Sequence, residues 1–383
     1  MKIRILLGWL PLLGLLFPIT SWSAMKTLTV TVVSSSVPEG QGVYLTGNHP
    51  VLGDWHPSHV RMERSEEGWI WSGSFPAGSE VAFKVTRGDW DTEALAEDGG
   101  VPPDMRVVLD EDMDITLGVP EWKDQRPPVA GGITGEVRYH RNLEGGGAPA
   151  RDVVVWLPPG YEGGNGHYPV LYMHDGQNVF DPATSFLGID WGVDETADRL
   201  IGEGLIRPVI VVAMNNTPLR REEYGADAEA SGAYMSFVVD TVKPMIDSTY
   251  RTLPGRDDTF VMGSSMGGCI SWLLAWNYPH IFSGAGCLSP AFMFAEILPN
   301  LEAYEGPPLN LKVYLDNGGV GMDKDRMQPV IDAFLEILDG KAKAAGIDYA
   351  WFLDEEAEHN EAAWAKRVWR PLVYLLGTGD DQP

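Results

Sequence analysis

Hydrophobic and polar positions follow one another in two different ways along this chain. Between residues 25 and 120 the apolar runs are short and often alternate with polar ones. Leu28 to Val33, Gly42 to Thr46, Trp69 to Ser74, Glu80 to Thr86 and Arg106 to Leu109 each read as a strand, separated by Gly, Pro and Asp. Short strands with regular turn signals predict a small all-β, antiparallel, immunoglobulin-like sandwich. From residue 135 onward the apolar runs are denser. Pro169 to Met173, Thr259 to Met262, Leu311 to Leu315 and Tyr349 to Leu353 read as buried strands. Helix-like stretches intervene or follow, among them Gly268 to Asn277 and Glu361 to Leu376. Strands and helices thus follow one another in this part of the chain. Pro120, Pro127, Pro128 and Gly131-Gly132 mark residues 121–134 as a linker, and 378–383 as a short tail.

The first 24 residues follow neither pattern. Met1-Lys2-Ile3-Arg4 is positive, Ile5 to Phe17 is apolar, and Ser21-Trp22-Ser23-Ala24 offers small residues for cleavage. This reads as a signal peptide and predicts export to a periplasm or beyond the cell, with no insertion into the membrane. The formal net charge of −26 argues against nucleic acid and anionic membranes as partners. Cys269 and Cys287 read as buried free thiols rather than a disulfide framework. No Cys/His cluster has metal-ligand spacing, so neither a metal nor an organic cofactor is expected.

Candidate chemistry centres on Gly263-Ser264-Ser265-Met266-Gly267, which follows an apolar run and precedes a helical one. Strand, G-x-S-x-G, then helix is the context of a nucleophile elbow, with Ser265 at the turn. Chain order supports this, because a later acid and then a later histidine complete a Ser-His-Asp set. His280 comes too soon after the elbow helix, whereas His359 lies between the last strand and the last helix. Asp323 and Asp316 both follow the preceding strand. Asp323 opens the next helix and is preferred as the acid, while Asp316 is suited to brace the loop. The amides of Met266 and Gln177 are the expected oxyanion donors, with Gly176 letting the second backbone turn towards the serine. Arg221 and Tyr224 are candidates for lining the pocket, with a surface ion pair and a packed ring as the alternative roles.

Four segments in order carry a family resemblance: Asp152 to Tyr161, Leu171 to Asn178, Met262 to Gly268, and Glu358 to Glu361. Residues 135–377 resemble the esterase family of α/β-hydrolases that holds esterase D, the enterochelin and feruloyl esterases and the mycolyltransferases. The resemblance implies an α/β-hydrolase fold, a mostly parallel sheet flanked by helices, and a serine esterase, with its triad falling on Ser265 and His359 and, less directly, on Asp323. The first domain resembles the family 20 carbohydrate-binding modules, which bind starch. That implies a sugar platform from Trp55, Trp90 and Lys84, where pyranose faces stack on indole. The segments around Trp90 depart from that pattern at Thr86-Arg87-Gly88 and Glu93-Ala94-Leu95.

The combined expectation is a secreted esterase acting on a carbohydrate-borne acetyl or feruloyl ester. Two alternatives remain: a siderophore esterase, in which Arg220 and Arg221 meet an anionic substrate, and a glycan-binding protein that keeps a silent hydrolase scaffold.

Overall fold

The computed structural model describes residues 24–96, 102, 104–125 and 131–379. All of the expected leader but Ala24, the middle of the expected linker and the end of the tail lie outside the described residues. The chain divides into two compact units, Met1–Pro127 and Pro128–Pro383.

In the first unit, one four-stranded sheet runs in the order Glu63–Arg64, Trp69–Pro76, Met25–Val33, Met113–Gly118. The other runs Val60–Arg61, Tyr44–Gly47, Ser79–Thr86, Met105–Leu109. Alternate residues of the two sheets, among them Leu28, Val30, Leu45, Phe75, Val81 and Phe83, meet in one core. All five strands expected from the alternation are present to within a few residues. Most pairings are antiparallel, but Met25–Val33 and Met113–Gly118 run parallel.

The expected linker starts too early. Glu121–Trp122 is a strand paired antiparallel with Ala94–Leu95. Trp122 is fully buried, with the Arg87 guanidinium 5.3 Å from its ring. Pro120 directly precedes this two-residue strand without interrupting its pairing, so proline content alone misplaces the boundary.

The second unit is built on eight strands: β1 (Glu136–Gly145), β2 (Ala148–Leu157), β3 (Val170–His174), β4 (Ile210–Met214), β5 (Thr259–Ser264), β6 (Gly284–Leu288), β7 (Leu311–Gly318) and β8 (Ile347–Asp354). Their order is β1-β2-β4-β3-β5-β6-β7-β8, and every pairing from β4 to β8 is parallel. Only β1 with β2 and β2 with β4 are antiparallel. Residues separate by parity onto two covered faces. Val153, Val155 and Tyr172 join one core, and Val154, Trp156 and Met173 the other. Burial on both faces is why these strands read as continuous apolar runs.

Between the strands lie α1 (Val193–Gly202), α2 (Ala228–Ser236), α3 (Lys243–Thr249), α4 (Met266–Asn277), α5 (Ile297–Glu302) and α6 (Gln328–Ala345). The chain closes with α7 (Glu361–Arg367) and α8 (Trp369–Leu376). Helices α4 and α6 pack on the first face, and α1, α7 and α8 on the second. The single closing helix expected from the sequence is two, because Pro371 has no N–H to offer the Arg367 carbonyl. The parallel strands all end on one edge, where ligand sites of such sheets form. Both cysteines are buried and free. Among the described residues no helix is long and apolar enough to cross a membrane.

Candidate active site

The run of six buried residues in β5 delivers the chain into a reversal at Ser265, whose φ of 57° and ψ of −121° are strained for a side chain other than glycine. The surroundings hold it there. The Ser265 amide donates to the Leu288 carbonyl at 2.8 Å, and its own carbonyl accepts from Ala291 at 3.0 Å. Glycine is required at 263, since a Cβ there would come within 2.7 Å of the Gly267 backbone. Ser265 thus stands at the N-terminus of α4, where developing negative charge is favoured.

Two further loops converge on it. After β8, Ala357 is buried and its carbonyl accepts from Val320 at 3.1 Å, tying this loop to the one after β7. Asn360 then caps α7 by accepting from the Ala363 amide. His359, just before that cap, has Nε2 2.9 Å from Ser265 Oγ and Nδ1 2.6 Å from Asp323 Oδ1. Asp323 is fully buried, and its Oδ2 accepts from the Gly318 amide and the Ser289 hydroxyl, each at 2.9 Å.

Asp316 takes the other role. Strand β7 runs three residues past the stretch expected from the sequence, which places Asp316 inside it. Asp316 pairs with buried Arg367 at 3.0 Å and accepts from the Ser289 amide at 3.0 Å. Burial pushes its carboxyl up, and Arg367 works against that shift.

Ser289 carries no motif, yet it joins the two acids. It is fully buried at φ 38°. Its hydroxyl donates to Asp323 and accepts from Trp364 Nε1 at 3.2 Å and Arg367 Nη2 at 2.7 Å, which fills its bonding capacity. Trp364 also sets its ring edge-on to His359, 4.9 Å between centroids. Removing the hydroxyl in Ser289→Ala is expected to lower kcat about 10- to 100-fold, the worth of one hydrogen bond to a charged group. Steady-state kinetics on any accepted ester checks this; an unchanged kcat means that Asp323 needs no such support.

The loop after β3 lies against the elbow: a Cβ on Gly267 would meet Asp175 Oδ2 at 3.2 Å. The turn in that loop is made differently from expectation. Asp175 adopts the left-handed conformation (φ 56°), whereas Gly176 is needed because a Cβ there would come within 2.7 Å of the β4 backbone. Asp175 is held by Arg220 through two bonds of 2.6 and 2.8 Å and by Asn216 at 2.7 Å. Among the described residues, neither the Gln177 nor the Met266 amide donates to an acceptor. The Gln177 side chain is fixed by accepting from the Asn216 amide. His174 beside them is fully buried, and burial drops its pKa to about 3, so the imidazole is neutral; Nδ1 lies 2.7 Å from the Tyr234 hydroxyl.

Of the two pocket candidates, one is packed and the other exposed. Tyr224 is fully buried and its hydroxyl accepts from the Asp175 amide, so it is a packed ring. Arg221 is exposed, with its guanidinium 5.3 Å from the Phe294 ring. Arg220 is the arginine nearer the chemistry, and it is already engaged by Asp175. Among the described residues three carboxylates gather, those of Asp190, Asp194 and Glu195. Burial, and then the adjoining Glu195 carboxyl, push Asp194 up to about 8.

In the first unit Trp55 and Trp90 are half-buried. Trp55 is tied back by its amide to Gly47 at 2.8 Å, and Trp90 opens the turn Trp90–Thr92. Lys84 donates to Glu93 at 2.7 Å and to the Pro102 carbonyl at 3.1 Å. Glu93 is buried, and burial raises its pKa against the pull of Lys84.

Comparison with known proteins adds two family matches. The profile described as "Putative esterase" matches residues 149–367, and that of the starch binding domain matches residues 26–101. An uncharacterized Bacillus subtilis protein, YbbA, is 23% identical over 246 residues, covering 59% of this chain and 93% of its own length. An endo-1,4-beta-xylanase/feruloyl esterase of Xylanibacter ruminicola is 25% identical over 228 residues, 55% of this chain and 27% of that protein. Among solved structures, a ferulic acid esterase superposes with a TM-score of 0.53 at 19% identity, covering 64% of this chain and 98% of its own. The enterobactin esterase of Shigella flexneri gives 0.52 at 15% identity, covering 88% and 90%. At these identities the structural likeness speaks to fold alone.

Proposed function

We infer what this chain does from the fact that it belongs to the esterase family: it is a serine hydrolase of carboxylic esters whose catalytic groups are Ser265, His359 and Asp323. The observation that carries this is the continuous hydrogen-bonded line from Ser265 Oγ through the His359 ring to buried Asp323. Ser265 Oγ attacks the acyl carbon while His359 Nε2 takes its proton. The same nitrogen returns that proton to the departing alkoxide, and a water, activated in the same way, then releases the acid. Asp323 keeps Nδ1 protonated and the ring in register. The amides of Gln177 and Met266 receive the negative charge that grows on the carbonyl oxygen.

The substrate is an ester carried on a carbohydrate. The starch-binding match in the first unit supports this, since such a module concentrates an enzyme on its polymer, and the feruloyl esterase relative agrees. Leu219, Met293 and Val320 are exposed on the loops after β4, β6 and β7. Apolar side chains on that edge suit an aromatic acyl group such as feruloyl better than acetyl. The engagement of Arg220 with Asp175 leaves less for an anionic siderophore. The leader-like residues 1–24 support export to where such polymers lie.

A fluorophosphonate probe tests the nucleophile. Wild type is expected to label, and Ser265→Ala and His359→Ala are not. A folded wild type that stays unlabelled would overturn the esterase reading in favour of a glycan-binding scaffold. For the first unit, Trp55→Ala and Trp90→Ala are each expected to weaken retention on amylose about tenfold, one stacked ring's worth, while hydrolysis of a small soluble ester is unchanged. Equal retention by both variants and wild type would end the platform idea.

A further inference from the structure

We propose that Asp190, Asp194 and Glu195 form a calcium site that braces the segment following the Gln177 loop. The three side chains each present one oxygen, and these lie within 4.8 Å of one another. Oxygens each about 2.4 Å from a shared calcium ion are at most about 4.8 Å apart, a condition that this set meets.

The second observation is Asp194 itself. It is fully buried, and its Oδ1 has no hydrogen-bond partner among the described residues. The other oxygen accepts from the Thr134 amide at 2.6 Å, and the carboxyl lies against that of Glu195. The charged groups acting most strongly on Asp194 and Asp190 are themselves acidic, namely Glu195 and Asp181. A buried carboxylate facing another carboxylate, with an oxygen unsatisfied, is a costly arrangement unless something positive sits between them.

The remaining surroundings agree. Thr134 Oγ1, 3.2 Å from Glu195 Oε1, is a further neutral oxygen at the rim. Glu195 is exposed and Asp190 half-buried, which leaves room for water to complete the six to eight oxygens that calcium takes. An all-oxygen set with an open side suits calcium better than zinc or copper, which favour nitrogen and sulfur. The site lies at the N-terminus of α1, where the helix contributes about half a positive charge. Three carboxylates outweigh that. The amide of Gly192 spends part of it on Asp190, at 3.1 Å.

The place of the site gives it a role. Trp191 and Val193, between Asp190 and Asp194, donate to the carbonyls of Asn178 and Val179 at 2.8 and 3.2 Å. Asn178 follows Gln177 directly. An ion that locks residues 190–195 therefore stiffens the strap behind one of the two oxyanion amides.

The test is calcium binding to the whole purified protein after EDTA treatment, by calorimetry and thermal unfolding, with no substrate present. Wild type is expected to bind one calcium and to melt about 5–10 °C higher at a calcium concentration near 100 times Kd. Magnesium at the same level should do much less. Glu195→Gln, at an exposed position, should fold normally and bind calcium at least tenfold more weakly; Asp194→Asn should lose binding. No binding heat and no rise in Tm for wild type would overturn the proposal and leave a shared proton between Asp194 and Glu195 as the explanation. An equal rise in Glu195→Gln, or a stronger effect of magnesium, would overturn it as well. Because no ester is involved, this result and the esterase reading can fail separately.

Discussion

Ser265→Ala is expected to lower kcat towards an ester by about five to six powers of ten while leaving the protein folded, as removal of a hydrolytic serine does elsewhere. The size of the effect follows from how the residue is used. Its Oγ forms and later breaks the covalent bond, and no neighbour can take that over. Ser264 points its side chain to the buried side of β5, 1% exposed. Stability should change little, because φ of 57° is about as uncomfortable for alanine as for serine and loss of the hydroxyl leaves only His359 without a partner. Rate measurements on Ser265→Ala beside its melting curve check both halves. A residual activity within a hundredfold of wild type would mean that another group is the nucleophile.

The second large effect separates two aspartates that lie seven residues apart. Asp323→Asn is expected to reduce kcat by about four powers of ten with little loss of stability, because an amide in that place can turn the His359 ring into the wrong tautomer. Asp316→Asn is expected to behave in the opposite way. It leaves buried Arg367 without its counter-charge, a cost of about 3–5 kcal/mol in stability. The folded fraction should nonetheless turn over within about tenfold of wild type, since Asp316 does not touch the histidine. Kinetics and chemical denaturation of the two variants side by side decide the matter. Reversal of the pattern would make Asp316 the acid.

That distinction also marks where reading the sequence stops. Ser265 and His359 were legible because each sits in a context with few physical alternatives: glycines around a forced turn, and a late histidine between the last strand and the closing helical stretch. Asp316 and Asp323 follow the same strand, and only its true length puts one inside the sheet and the other over the edge. Strands β3, β5 and β7 were visible as unbroken apolar runs because both of their faces are covered. Trp122 was hidden by Pro120 just before it. Tyr224 looked like a pocket residue because the segment around it follows strand and loop signals on the active-site edge, yet its ring is fully buried and Glu223 beside it pairs with buried Arg151. Asp190, Asp194 and Glu195 are ordinary acids in a very acidic chain, and nothing but folding shows that they face one another. Ser289 gives no sign at all, since its importance lies in what three residues from two other segments do with one oxygen.

That oxygen has a hereditary consequence. Asp323, Trp364 and Arg367 all meet at the Ser289 hydroxyl, and Arg367 reaches on to Asp316. Substitutions among these five positions are therefore bound to be non-additive. A change at Ser289 that is harmful alone can be tolerated once Trp364 or Arg367 has changed, and the reverse. Lineages descending from this chain should keep or exchange the five as a block, and a graft of Ser265, His359 and Asp323 alone into another scaffold would leave half of the inheritance behind.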